Sequence, residues 1–233
     1  MRYRADLHIH SCLSPCADLQ MSPSSIVSRA SSLGISVLGL TDHNTCRNLP
    51  AFDSCCRKAG IMPVHGIEVT TREEIHVLCF FADMPAALRF GKFIESLLPD
   101  VPNAPDLLGD QVYVDEHERI IGEIDKSLYS ASELNFDQLF DEVQGYNGMF
   151  IPAHIDRSAF SVTSQLGFLP EMTYTAVEAV RIPCRVDTYG NTVITNSDAH
   201  FLADIGSRSW SCEHEAMDYQ ALKHILETDR LTR

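Results

Sequence analysis

The chain carries its reactive side chains in short groups separated by long intervals. The first is Asp6-Leu7-His8-Ile9-His10. In an extended segment alternate side chains share a face, so His8, His10 and Asp6 emerge together, and two imidazoles so placed can share one metal ion. One such pair is weak by itself and needs partners. These follow at Thr41-Asp42-His43-Asn44, at His65-Gly66-Ile67-Glu68, at His76, at His154 and at Asp198-Ala199-His200. Each ends or follows an apolar run. Imidazoles and carboxylates in this number suit a cluster of divalent ions, which polarises a substrate oxygen and makes hydroxide available near neutral pH.

Groups so far apart in sequence need a fold that gathers them. The sequence reads as strand followed by helix, the pattern of βα units around a parallel sheet. A strand over 4–10 precedes a helix opened by Ser22-Pro23, with Ile26, Val27, Ala30 and Leu33 on one face and Gly34 closing it. A buried strand over 37–41 precedes a helix over 45–59 that stops at Gly60. Strands over 62–69 and 75–81 and a helix over 85–98 before Pro99 come next. Residues 100–128 are loop-like and acidic, with a hairpin of 111–114 against 119–124, and read as an insertion over the rim and a candidate lid. Ser130 and Glu133 form a candidate capping box for a helix presenting Phe136, Leu139, Phe140 and Val143, stopped by Gly145. Strands over 149–154, 176–180 and 192–196 and a helix over 217–226 complete the chain. In a barrel of parallel strands the C-terminal strand ends converge on one rim, which would assemble the groups into one site.

Composition bounds the rest. A chain of 233 residues, 45% apolar, fits one domain over 1–233. The formal charge of −14, without a Lys/Arg run, argues against long nucleic acid as a partner. A small anionic substrate remains compatible, because three divalent ions would bring roughly six positive charges to the site. The eight cysteines include no CxxC pair, which excludes a zinc ribbon and reads as reduced intracellular thiols, with Cys79 and Cys184 as core packing. No apolar leader or bilayer-length stretch is present, so a soluble, cytoplasmic protein with no membrane partner is expected.

The segments ADLHIHS (5–11), TDHN (41–44), GIE (66–68), His154 and SDAH (197–200) together resemble the polymerase-and-histidinol-phosphatase (PHP) superfamily, over nearly the whole chain. That resemblance implies an α/β fold, a distorted (β/α)7 TIM-like barrel, holding two or three divalent ions (Zn, Mn or Fe) and hydrolysing phosphoesters. It makes His8, His10, Glu68 and Asp198 ligands of one metal. Glu68 would bridge to a second, held also by His76 and His154, and His43 and His200 would hold a third. The remaining ligand of the third ion falls at Cys16, where family members often carry His or Asp. Cys16 is then either a thiolate ligand, favouring zinc or iron over manganese, or a bystander thiol with Asp18 as the nearest alternative.

Asp6 reads as a carboxylate that hydrogen-bonds a ligand imidazole, and Asp42 as one that does the same for its neighbouring loop. Arg157 could clamp a phosphate bidentately, or it could pair with Asp156 or a loop carboxylate. Arg72 and Arg185 are weaker candidates for the clamp. His65, His117, His214 and His224 match no motif position and read as ordinary surface or packing residues.

The function expected is that of a phosphoric ester hydrolase acting on a small phosphate ester, with a nucleotide among the candidates. A hydroxide bridging metals that Glu68 and Asp198 hold would attack phosphorus in line. Two rivals stand beside it: a metal-binding module with a structural or regulatory role, and a nuclease or phosphodiesterase acting on nucleotides or short oligonucleotides.

Overall fold

The computed structural model describes residues 1–232. The first strands, β1 (Arg2–Asp6), β2 (Val37–Leu40) and β3 (Met62–Thr70), are parallel, with α1 (Pro23–Ser32) and α2 (Leu49–Ala59) as the crossovers. Ser22 caps α1 by accepting the Ser25 N–H, and Pro23 fits the first turn, where its missing N–H costs nothing. The helix α2 begins later than the expected 45, because residues 41–48 form a turn that serves the site. Asn44 there takes a left-handed φ of 55°. Gly60, at φ 69°, ends α2 in the left-handed conformation that glycine adopts without strain.

The βα rhythm breaks after β3. The strand β4 (His76–Phe81) pairs with β3 antiparallel, from Thr70 opposite His76 to His65 opposite Phe81, and only residues 71–75 join them. A link that short can make a hairpin but no parallel crossover. The α/β class therefore holds, while a regular run of seven βα units does not describe the ladder. After β4 come α3 (Met84–Ser96), capped by Asp83, the one-turn α4 (Pro105–Leu108), and the hairpin β5 (Val112–Val114) with β6 (Ile120–Glu123). Next, α5 (Phe136–Gly145) leads into β7 (Met149–Pro152), antiparallel to β4. Finally α6 (Val162–Leu166), the parallel pair β8 (Val177–Glu178) and β9 (Val193–Ile194), β10 (Trp210–Glu213), α7 (Tyr219–Glu227) and β11 (Leu231–Thr232) follow.

The cap of α5 lies five residues beyond the expected Ser130, at Asn135. Residues 130–134 are drawn off by other partners: the Ser130 carbonyl accepts from Asn44 Nδ2, Glu133 N donates to Leu97 O, and Arg72 N donates to Leu134 O. The reciprocal cap forms instead between Asn135 and Gln138. The short elements α4, α6, β10 and β11 carry too few periodic residues for the sequence to announce them.

One sheet runs in the order β11-β10-β1-β2-β3-β4-β7. Beyond its ladders, Thr175 N donates to Phe150 O and Ile155 N to Glu178 O, joining the β7 segment to β8. On the other side His10 N donates to Ala199 O and Ala199 N to His8 O, joining the continuation of β9 to that of β1. The sheet thus curls back toward its own first strand.

Alternation along the strands positions the site. Ile67 and Val69 on β3 and Val77, Cys79 and Phe81 on β4 pack outward with α2 and α3, in one core cluster with Phe52 and Phe90. The opposite face carries Val64, Leu78, Phe80, Met149 and Ile151, closed below by Trp210 and Leu222. Glu68 shares the face of Val64, and His76 that of Leu78, so the apolar interior turns polar at one rim. Gly39 lets β2 approach β1, since a Cβ there would lie 2.5 Å from Leu7 O.

Candidate metal centre

At the polar rim Glu68 lies almost fully buried among imidazoles. Its Oε1 is 3.0 Å from His76 Nδ1 and 3.3 Å from His8 Nε2 and from His154 Nε2. Its Oε2 is 3.1 Å from His43 Nδ1 and 3.3 Å from His10 Nε2. Asp198 Oδ1 stands 3.2 Å from His8 Nε2 and 3.4 Å from His10 Nε2, and the two Nε2 atoms are 3.2 Å apart.

Three groups of donor atoms lie close enough to surround an ion: His8, His10 and Asp198; His43, Glu68 and His76; and His10, Cys16, His43 and His200. Compared with the sets the resemblance implied, His43 stands in two groups and His10 joins that of Cys16. His154 meets the cluster through Glu68. Asp18 belongs to none of these groups: its N–H donates to His200 O at 2.9 Å, and its Oδ1 accepts the Gln20 N–H inside its own turn. Metal–ligand bonds of about 2.1 Å put neighbouring donors about 3.0–3.4 Å apart, the range of the separations here. Both Glu68 oxygens, His76 Nδ1 and both His154 ring nitrogens are buried without a hydrogen-bond partner among the described residues. Buried polar atoms left so are costly, and a cation among them would satisfy several together. The residues present therefore fit a divalent-ion cluster.

The outward ring nitrogens decide which lone pairs face inward. His8 Nδ1 is 3.0 and 3.1 Å from the two Glu178 oxygens, His10 Nδ1 is 3.0 Å from Ser14 Oγ, and His200 Nδ1 is 2.9 Å from Asp198 O. Ser14 Oγ also donates to Asp42 Oδ1, which leaves it an acceptor for His10. Each contact makes Nδ1 the nitrogen that keeps its proton, so Nε2 is the one that would offer a lone pair to an ion.

Burial opposes ionisation of Glu68, but the imidazoles of His76, His8 and His43 outweigh it and hold the carboxyl well below its usual range. Burial likewise disfavours charge on His8 and His10. Glu178, Glu68 and Asp198 overcome it for His8, raising it well above normal, and Asp198 and Glu68 lift His10 to about 9. Burial keeps His43 and His76 low despite Glu68, and pushes His200 down to about 4 with help from the charge on His10. Burial also raises the Cys16 thiol to about 12, so only a cation beside it would make it a thiolate.

Other expected residues take different places. Asp6 bonds no ligand imidazole: its oxygens accept the N–H groups of Ser197 and Gly206, tying down the segment that carries Asp198 and His200. Asp42 acts through hydroxyls, accepting from Ser11 N, Ser11 Oγ and Ser14 Oγ, and so reaches His10 at one remove. Arg157 pairs not with Asp156 but with a loop carboxylate, that of Asp198 in the segment after β9. Its Nη1 is 2.8 Å from Asp198 Oδ2, with 42% of the side chain exposed. His65 turns outward to Asp53 at 2.8 Å.

Glu178 is the residue that sequence reasoning missed. It is buried, and besides His8 it accepts the His154 N–H and Asn196 Nδ2. A lone acid inside the apolar run Thr175-Ala176-Val177-Glu178-Ala179-Val180 was the available signal, since a buried carboxylate demands partners. His154 (φ 32°) and Asp198 (φ 53°) both hold left-handed backbone, at a cost of about 1–3 kcal/mol each.

The family model of the PHP domain matches residues 6–155. The chain belongs to the PHP domain family. The matched segment carries every residue of the cluster up to His154, and Glu178, Asp198 and His200 lie beyond it. Over 81 residues the chain is 35% identical to a 5′-3′ exoribonuclease of Haemophilus influenzae, a match spanning 34% of this chain and 28% of that one. Among solved structures, the lesion-specific endonuclease EndoQ of Pyrococcus furiosus superposes with a TM-score of 0.69 at 15% identity, over 97% of this chain and 56% of EndoQ. This PHP chain thus spans little more than half of EndoQ, and its match to the exoribonuclease covers under a third of that protein. A protein of Bifidobacterium adolescentis, assigned as a metal-dependent phosphoesterase, gives 0.63 at 16% identity over 95% of both chains. These likenesses extend the shared fold past residue 155. Among the described residues no helix is long and apolar enough to cross a membrane.

Proposed function

We propose that this PHP domain protein is a metal-dependent phosphoric ester hydrolase whose substrate is a small phosphate ester. The carrying observation is Glu68, a buried carboxylate with five imidazole nitrogens within 3.0–3.3 Å and no hydrogen bond to either oxygen among the described residues. In this reading His8, His10 and Asp198 would hold one ion, His76 and His154 a second, and His43, His200 and Cys16 a third, with Glu68 among the ligands. Zinc, manganese and iron suit the imidazole-rich sites, and a thiolate at Cys16 shifts the third toward zinc or iron. When bound, the ions depress the pKa of water for in-line attack on phosphorus and stabilise charge on the phosphoryl oxygens.

The chain's own residues do the rest. Glu178 and Ser14 orient His8 and His10, Asp6 anchors the Asp198 segment, and Arg157, half-exposed at its edge, swings between Asp198 and a substrate phosphate. In this reading β1, β2, β3, β4, β7, β8 and β9 would close as the distorted barrel of seven strands, with residues 100–128 as an insertion over its rim. Val114 N donates to Asn48 Oδ1, and Leu13, Leu98, Ile124 and Leu128 pack together there, which supports one domain. The eight free cysteines suit a reducing, cytoplasmic setting.

A nuclease is the second reading. The exoribonuclease match and the EndoQ superposition favour it, and EndoQ has been seen with a 27-mer duplex carrying an abasic lesion. Net charge alone is therefore too coarse a reason to set long nucleic acid aside. The test is elemental analysis joined to phosphate release from 5′- and 3′-monoesters, cyclic phosphates and short oligonucleotides after Mn, Zn or Fe loading, for wild type and His10→Ala. Two or more ions with His10-dependent turnover support the hydrolase, and the substrate ranking separates monoesterase from nuclease. Bound metal without turnover means a structural module, and no bound metal overturns the reading.

A further inference from the structure

Two aromatic rings flank the metal centre, each partly in solvent. Phe160 stacks on His76, with centroids 4.8 Å apart and planes inclined by 16°. Tyr129 stacks on His43 at 6.1 Å and 29°, and its hydroxyl meets the Cys16 thiol. The two imidazoles are themselves 5.0 Å apart, so the run Tyr129, His43, His76, Phe160 ends in a six-membered ring on either side. Tyr129 is nevertheless 44% exposed and Phe160 40%, and among the described residues only Phe168, Tyr189 and Phe201 are aromatic and comparably exposed. Single exposed apolar residues are ordinary on a surface, whereas two against the ligands of one polar site are informative. Neither ring is there by default. Phe160 holds a left-handed φ of 55°, sparsely populated for a bulky residue, and its carbonyl accepts the His76 N–H at 2.9 Å. Both neighbours of Tyr129 are clamped, since Asn44 Nδ2 donates to Leu128 O and to Ser130 O. Bonds to the segments that carry His76 and His43 therefore hold both rings where they remain wet.

We propose that Tyr129 and Phe160 are specificity-determining residues, platforms on which a planar aromatic group of the substrate, of the nucleobase class, stacks while its phosphate reaches the metal centre. A ring with one face on an imidazole still offers the other, and every base has a face to match it. Stacking selects for flatness rather than for a hydrogen-bond pattern, so purines and pyrimidines are both accepted and an alkyl phosphate gains nothing. The planar group is the base of a single nucleotide or successive bases of a strand. The inference rests on the phosphoesterase reading for where the phosphate sits, but stacking is measured apart from turnover.

The test is calorimetric titration of the zinc-loaded full chain with adenosine 5′-thiophosphate and with glycerol 3-thiophosphate, both slow to hydrolyse. Tyr129→Leu/Phe160→Leu keeps apolar volume and removes the aromatic faces, whereas Tyr129→Phe/Phe160→Tyr keeps both rings. The readout is the ratio of the two affinities, which loss of ions or partial unfolding lowers equally and so leaves unchanged; the single leucine variants serve if the double variant does not fold. Wild type should prefer the nucleotide by about 5–150-fold, the leucine variant should lose that preference, and the ring-keeping variant should retain it. A ratio near one in wild type, or the wild-type ratio in the leucine variant, would overturn the platforms and leave the rings as shields for His43 and His76. A 5′-phosphorylated tetra-adenylate with phosphorothioate linkages distinguishes the sources. Ring-dependent binding tighter than that of the mononucleotide assigns the platforms to successive bases of a strand, and equal binding assigns them to one nucleotide. Ring-dependent preference without phosphate release under Mn, Zn or Fe would overturn the phosphoesterase reading and leave the platforms standing, and release with an unchanged ratio would do the reverse.

Discussion

Replacing Glu178 by glutamine tests whether the site depends on a carboxylate that touches no substrate. The change is nearly isosteric, so packing is kept and only charge and donor–acceptor pattern alter. Glu178 Oε2 accepts His8 Nδ1 at 3.0 Å and His154 N at 2.9 Å, and Oε1 accepts Asn196 Nδ2 at 2.8 Å. A glutamine can face the first two donors with its oxygen, but its amide then meets the Asn196 amide donor to donor. Flipped, it confronts both other donors instead. Either way a buried donor loses its partner, at about 1–3 kcal/mol, and a charge-assisted bond worth about 1.5–3 kcal/mol becomes a weaker neutral one. A loss near 3 kcal/mol should lower the unfolding midpoint by about 6–12 °C in a domain of this size. His8 also loses the partner that fixes its tautomer, so ion affinity should fall about 10–100-fold. Urea and thermal unfolding of the metal-free protein measure the first effect, and calorimetric titration with Zn²⁺ or Mn²⁺, well below the midpoint, measures the second. Wild-type stability together with wild-type ion affinity in Glu178→Gln would refute the reasoning.

Other outcomes follow from the same contacts. Gly39→Ala drives a Cβ to 2.5 Å from Leu7 O and 2.8 Å from Leu7 Cα, so β1 and β2 must part. It should cost about 1–3 kcal/mol by chemical denaturation. In the metal-free protein the His10 pKa is raised to about 9, because Asp198 and Glu68 outweigh burial. Its stabilising contribution is full below about 6.5 and is lost as pH rises through about 9, which a pH series of urea midpoints would show as a decline over that window. Ion binding near neutral pH must displace that proton, so the apparent binding enthalpy should vary with the buffer's ionisation enthalpy; independence from buffer would contradict a protonated His10. Asp6→Asn should leave the core intact but loosen the Asp198 segment, since one oxygen anchoring Ser197 N or Gly206 N becomes an amide. Reduced ion affinity with nearly unchanged near-ultraviolet circular dichroism is the expected signature.

By itself the sequence determined the local elements and the list of reactive groups. Ser22 with Pro23 at the start of α1, Gly60 after α2, and the alternation of β3 and β4 act through neighbouring residues, and such signals survive without tertiary context. The His, Asp and Glu groups were legible because each ends or follows an apolar run, and the structure brings His8, His10, Cys16, His43, Glu68, His76, His154, Asp198 and His200 to one rim. What only the tertiary structure decided depends on partners far along the chain. The Asn135 cap displaced Ser130 because Asn44, Arg72 and Leu97 claim residues 130–134. Asp6 serves Ser197 and Gly206, nearly two hundred residues on, and Glu178 serves His8 across 170. Arg157 meets Asp198 rather than its neighbour Asp156, whose oxygens are spent on the backbone at 180 and 181. A carboxylate's role is set by which donors surround it once water is gone, and that depends on which strands end side by side.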